Sequence, residues 1–306
     1  MKIVCKLNFF VIVVFLNVFL IPAQVSKVFN GVELNDPLVV VQKKIRLISG
    51  SIRIHKISTP NFPLSKNKEE HLIATEVVLE NGTIDQVVFT FSDDKLSYIQ
   101  AKGNVVKGIS SAIKSKPRAY LNYQVYLEEL LFIQKKMDVA WFLTSAGVHT
   151  NLFTWNNPYL TPNNISKVHY NPSVKIPDFI KMGEDIANLM PLLKKNSNYI
   201  YKENLGEKQG IIKTQINCFG VEFAGFPRKF EARFENNKLT KVWILTAKGE
   251  EVRIREKLIK EYGKALFIND KWEVFNNWTV LLRKDKPEIL LLTKSLGAMY
   301  KKQYTK

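Results

Sequence analysis

Short runs of alternating apolar and polar residues, cut repeatedly by Asn, Asp and Gly, run through most of this chain and commit it to antiparallel hairpins. Period-two alternation sends successive side chains to opposite faces, so each run buries one face and wets the other. Ile52 and Ile54 alternate with Arg53 and His55 in this way. Asn81-Gly82 separates Thr75–Leu79 from Ile84–Phe91. Asn-Gly between apolar runs is a strong hairpin signal, because both residues tolerate positive φ. Ser92-Asp93-Asp94-Lys95 leads into Leu96–Ile99, and Glu235-Asn236-Asn237-Lys238 joins Phe230–Phe234 to Leu239–Leu245. Val39-Val40-Val41 is β-branched and reads as a further strand; Ser65–Glu70 reads as a loop.

Helical spacing interrupts this pattern. Val105, Ile109, Ala112 and Ile113 fall on one helical face that ends before Pro117. Tyr123, Leu127, Leu130 and Leu131 predict a second helix over Arg118–Lys136, after which Asp138–Trp155 returns to strand. Phe179, Met182, Ile186, Leu189, Met190 and Leu193 predict a helix capped by Asp178 and bent at Pro191. Ile211–Phe223 is a strand. Glu250–Tyr262 is a helix with Ile254, Leu258 and Tyr262 on its apolar face, stopped by Gly263. Glu251 with Arg255 and Glu256 with Lys260 stand at i,i+4 on its polar face. Trp272–Phe275, Trp278–Arg283 and Ile289–Thr293 close the chain as strands.

Between the two patterned regions, Asn156–Pro177 holds Pro158, Pro162, Pro172 and Pro177 and reads as a connection. The expected organisation is an N-terminal domain over 24–155, a linker over 156–177 and a C-terminal domain over 178–306. The two domains share sequence tags. Phe91-Ser92-Asp93-Asp94-Lys95-Leu96 matches Phe234-Glu235-Asn236-Asn237-Lys238-Leu239, and Ala101-Lys102-Gly103 matches Ala247-Lys248-Gly249. Gly31-Val32-Glu33-Leu34 also echoes Gly220-Val221-Glu222-Phe223. The expected fold class is therefore α+β: two related strand-helix-strand domains with mainly antiparallel sheets, a duplicated unit. The unit resembles modules that recur in bacterial envelope proteins, a likeness that implies fold and not activity.

The N-terminus is of another kind. Lys2 and Lys6 precede an apolar run from Leu7 to Ile21, followed by Pro22 and Ala23. That order is a signal peptide over 1–23, too short to span a bilayer, so the mature form is expected to be exported (periplasmic or secreted) without a transmembrane helix. Removing it leaves Cys218 as the sole cysteine, in an apolar run, which excludes an intramolecular disulfide. The net charge is +17, and without Lys2 and Lys6 it is +15. Such a charge attracts anionic glycan or lipid surfaces. The lysine spacing fits no nucleic-acid module.

No chemistry-bearing motif stands out. His55, His71, His149 and His169 lack metal-ligand spacing, and neither a Gly-x-Ser-x-Gly elbow nor a phosphate-binding glycine loop is present, so no metal or other cofactor is expected. Binding is the expectation, at Trp272 and Trp278 with Lys271, Lys284, Lys301, Lys302 and Lys306 around them. The reading is a non-catalytic binding or structural component; the alternative is an extracytoplasmic hydrolase without a standard motif. The processing expectation is checked by sequencing the exported protein from its N-terminus. It should begin at or near Gln24, and recovery of intact Met1 in a membrane fraction would refute cleavage.

Overall fold

The computed structural model describes residues 25–160, 171–208 and 210–305. The expected signal peptide, the middle of the expected linker and Lys306 lie outside the described residues.

The first half runs α1 (Val25–Val28), α2 (Leu38–Arg46), β1 (Ser49–Ile57), β2 (Glu69–Leu79), β3 (Gly82–Ser92), β4 (Lys95–Lys102), α3 (Val105–Ser110), β5 (Arg118–Tyr120), β6 (Tyr123–Tyr126), β7 (Leu131–Gln134), β8 (Val139–Leu143) and α4 (Ser145–His149). The second half runs α5 (Ile186–Lys195), β9 (Tyr199–Lys208), β10 (Ile211–Phe223), β11 (Phe226–Glu235), β12 (Lys238–Leu245), α6 (Glu251–Tyr262), β13 (Phe267–Ile268), β14 (Trp272–Phe275), β15 (Val280–Arg283), β16 (Glu288–Leu292) and α7 (Lys294–Tyr304).

Each half builds one eight-stranded antiparallel sheet from two four-stranded meanders. The first is ordered β1-β2-β3-β4-β8-β7-β6-β5. The second, counted from its own first strand, is β9-β10-β11-β12-β16-β15-β14-β13, the same order. In both, a helix after the fourth strand carries the chain to the far edge, and the last strand returns to pair with the fourth.

The equivalence extends to single residues. Asp93 and Asp94 have φ of 49° and 67°, and Asn236 and Asn237 have 46° and 65°, the left-handed pair that a tight hairpin turn demands. Pro37 bridges Lys95 in one half and Asp185 bridges Lys238 in the other, each from the cap of the helix that precedes its sheet. The tags around Asp93 and Asn236 thus mark equivalent hairpins. The third tag does not: Gly31–Leu34 lies in the turn before α2, whereas Gly220–Phe223 lies inside β10.

Several elements depart from the sequence reading. Val39–Val41 is helical, because Val41 and Ile45 stand four apart against the core while Val39 is exposed. Burial on one helical face outweighs β propensity there. Arg118–Lys136 is three short strands, and the chain turns at Leu121 and Leu130 with positive φ. Strand β8 ends at Leu143, where Thr144 caps α4. The helix expected from Phe179 begins only at Ile186, capped by Asp185 rather than Asp178, with Pro191 inside it. Trp278 belongs to a turn with Asn276 and Asn277, not to a strand. The β2–β3 hairpin has Glu80 and Asn81 at its tip, since Leu79 pairs with Gly82. Arg255 of α6 pairs with Glu273 on β14. Both β9 and α7 lie where no element was expected.

Helices α2 and α3 cover one face of the first sheet around Val87, Phe89 and Phe142, and α5 and α6 cover the second around Ile216, Phe230 and Ile244. A third apolar cluster joins the halves. Phe62, from the loop between β1 and β2, packs 5.6 Å from Tyr98, 5.3 Å from Trp155 and 6.4 Å from Phe226 of the second half. Around it the Asn61 amide donates to the Gly225 carbonyl, and Arg253 on α6 donates to the carbonyls of Phe62 and Ser65. Gly249 lies so close that a Cβ there would be 2.3 Å from the Leu64 carbonyl carbon.

Replacing Phe62 with Ala removes a fully buried ring at this junction and should cost about 3–5 kcal/mol. Calorimetry of the wild type should show one transition in which both sheets melt together; two separate transitions, with Phe62→Ala altering neither, would show the junction to be inert.

Candidate functional site

Trp272 and Trp278, expected as binding residues, are 6% and 5% exposed. They pack with Leu281, Leu290 and Leu292 beneath Leu296, Tyr300 and Tyr304 of α7. Gly297 lets α7 approach, since a Cβ there would be 2.5 Å from the Trp278 carbonyl oxygen. Neither indole offers a ring face to a ligand. Trp272 instead ends a stack of alternating cations and rings. The Arg283 guanidinium lies 5.7 Å from the Trp272 ring and 5.7 Å from Trp243, and Arg233 lies 5.8 Å from the same Trp243 ring. Asp285 and Glu288 hold Arg283, and Glu231 and Gln215 hold Arg233, so this stack is electrically matched.

Lys271, Lys284, Lys301 and Lys302 are on the surface. Lys271 and Lys284 are neighbours, because the Lys284 backbone N–H donates to the Lys271 carbonyl at 2.7 Å. Lys301 and Lys302 sit in the last turn of α7, where a positive charge also complements the helix dipole. The tryptophan cluster therefore serves as the rigid base under a helix that carries two of the expected lysines, while two more flank β14 and β15.

The first half holds a buried polar relay. Glu69 Oε1 accepts from His71 Nε2 at 2.9 Å, and His71 Nδ1 lies 3.0 Å from Thr90 Oγ1. Asn157 Nδ2 reaches both Thr90 Oγ1 at 3.0 Å and His71 Nδ1 at 3.2 Å, which makes Nδ1 an acceptor and Nε2 the protonated nitrogen. The order carboxylate, imidazole, hydroxyl resembles that of a hydrolytic triad. Thr90, however, is 0% exposed, with Asn157 over it, and no substrate carbonyl reaches it. Glu69 Oε2 meanwhile accepts the N–H groups of Asn61 and Phe62. The relay acts as a clamp that seats the Phe62 loop and the Asn157 segment on the sheet.

A cleft of about 290 Å³ lies between the halves. Tyr123, Gln134, Trp141, Phe153 and Asn156 of the first half face Asn198 and Tyr199 of the second across it. Gln134 Nε2 donates to Tyr199 Oη at 2.8 Å and ties the two walls. Burial pushes the phenols of Tyr120 and Tyr123 upward, Tyr120 to about 12, so both stay protonated and neutral.

Other candidates are enclosed. Cys218 is buried, and that burial raises its thiol to about 11, the opposite of an activated nucleophile. Burial lowers the pKa of His149. Among the described residues no group of three or more His, Cys, Asp or Glu side chains is placed to hold a metal ion. Comparison with family models, curated proteins and solved structures finds no match for this chain. The sequence reading missed the cleft: Tyr199 lay in a stretch with no assigned element, and Tyr123 was read as part of a helix.

Burial pushes the Glu69 carboxyl up, but the hydrogen bond from His71 and the N–H groups of Phe62 and Asn61 oppose it, and its net direction is down. A carboxyl depressed on folding stabilises above its unfolded value, about 4.3, and loses that contribution as pH falls through the folded value. Stability measured by urea unfolding should therefore fall with acidification below about pH 4.3, and Glu69→Gln should flatten that slope. Identical slopes in variant and wild type would show that the relay is not linked to folding.

Proposed function

We propose that this chain is an exported, non-catalytic binding component of the cell envelope or its surroundings, and that it holds to an anionic surface, glycan or lipid. The observation that carries this reading is the placement of the lysines. Lys271 and Lys284 stand side by side at the ends of β14 and β15, and Lys301 and Lys302 project from a helix clamped on the Trp272 and Trp278 cluster. A rigid base under exposed cations lowers the ordering cost when they meet an extended polyanion. Lys306 extends the same tail in sequence. A hydrolytic reading has the Glu69–His71–Thr90 relay as its single support, and the burial of Thr90 speaks against it.

Exposed charges act over a screening length of only about 8 Å at physiological ionic strength, so such binding has to be salt-sensitive. The protein should be retained at low salt on an acidic polysaccharide resin or on vesicles containing phosphatidylserine, and released at high salt. The two matrices separate a glycan partner from a lipid one. Replacing Lys271, Lys284, Lys301, Lys302 and Lys306 with Gln should abolish retention. Retention that survives all five replacements, or no retention on either matrix, refutes the proposal.

A further inference from the structure

We propose that the cleft between the two halves is a second, separate binding site, for a single ring of a neutral sugar. The argument starts from an unsatisfied atom. Gln134 is 5% exposed, its Nε2 is engaged by Tyr199, and its Oε1 has no hydrogen-bond partner among the described residues. A buried amide oxygen left unpaired is costly, and native structures rarely tolerate one without a role. Reversing the amide leaves the other polar atom unpaired instead, so the deficit does not depend on its assigned orientation. What the site lacks is a hydrogen-bonding group supplied from outside.

The lining narrows the class. None of the side chains around the cleft is ionised: it is walled by Tyr123, Trp141, Phe153 and Tyr199, with the amides of Gln134, Asn156 and Asn198 between them. A charged ligand would lose its hydration and find no countercharge. The ligand is therefore neutral. Aromatic carbon against apolar C–H, with amides and phenols around it, is complementary to a pyranose, whose faces are apolar and whose rim carries hydroxyls. The volume of about 290 Å³ falls just below the roughly 300–1,000 Å³ of drug-sized sites and suits one ring rather than a chain. Gln134 Oε1 is shut off from solvent. Binding there requires the wall formed by Met137, 46% exposed, and the half-buried Tyr199 to shift so that a ligand hydroxyl reaches it.

The test is ligand-observed NMR on the full exported chain with the methyl glycosides of glucose, galactose and N-acetylglucosamine. Glucuronate, uridine and trialanine form the counter-panel. At least one neutral glycoside should bind, with a Kd on the order of millimolar for so few atoms. Gln134→Leu should weaken it by roughly fivefold or more, the loss of one hydrogen bond. The same variant removes an unpaired buried oxygen but also the bond to Tyr199 Oη, so retention of one cooperative melting transition is what separates lost binding from lost folding. No binding by any neutral glycoside, or equal binding by Gln134→Leu, overturns the proposal. Binding of uridine or trialanine alone, lost in Gln134→Leu, overturns the sugar assignment in favour of another ligand class in the same cleft. Retention on the anionic matrices is measured independently, so failure of the lysine surface and failure of the cleft are distinguishable.

Discussion

The carboxylate of Glu69 is the point on which the arrangement of the two halves turns. It is buried, and a buried carboxylate is tolerable only when its lone pairs are filled. His71 fills one side and the N–H groups of Asn61 and Phe62 fill the other. Those two backbone contacts fix a tight path in the loop between β1 and β2. The path drives Phe62 between Tyr98, Trp155 and Phe226, and presents the carbonyls of Phe62 and Ser65 to Arg253. A polar network in one sheet thus positions the apolar plug that joins it to the other.

The two halves share one strand order, and asymmetry between them makes a single object. In the first half β1 and β2 are joined by residues 58–68, the segment that carries Phe62. In the second half Lys208 pairs with Ile211, and β9 and β10 form a close hairpin that projects with Tyr201, Leu205 and Ile212 exposed. The halves also differ after the last strand. Helix α4 is one short turn followed by the Leu152–Trp155 segment, which enters the shared core, whereas α7 is long and covers its own sheet. Elements that are equivalent in strand order therefore do different work: in one half they face the partner sheet, in the other they close the fold locally.

What was legible in the sequence follows from the range of the forces concerned. Hairpins at Asp93-Asp94 and Asn236-Asn237 were readable because positive φ is a local demand that few residues meet. Helix α6 was readable because its face and its Gly263 stop lie within one segment. The misread segments are those whose local pattern served two structures. Arg118–Lys136 has helical spacing of apolar residues, yet Tyr123, Val125 and Phe132 are needed on one sheet face against Trp141 and Phe153. Val39–Val41 has strand composition, yet only Val41 is wanted by the core. In both cases burial against a distant partner decided the matter, and a single segment does not contain that partner.

The same logic separates the two candidate sites. The tryptophans near Lys271 and Lys284 were conspicuous because they crowd a short stretch, but crowding is equally what a helix needs beneath it, and α7 claims them. The cleft had no such signal. Gln134 closes β7 and Tyr199 opens β9, 65 residues apart, and neither is unusual in its own context. Their meeting depends on the packing of one sheet against the other, and that packing depends on the Phe62 plug. A site between two similar halves is built from non-equivalent positions in each, so even their shared strand order does not point to it. The cleft's polarity is a property of the junction alone: two sheets that bury aliphatic faces against their own helices meet here through aromatic rings and amides. Those groups tolerate partial hydration, and they leave a hydrogen-bond deficit that a closed apolar seam would not have.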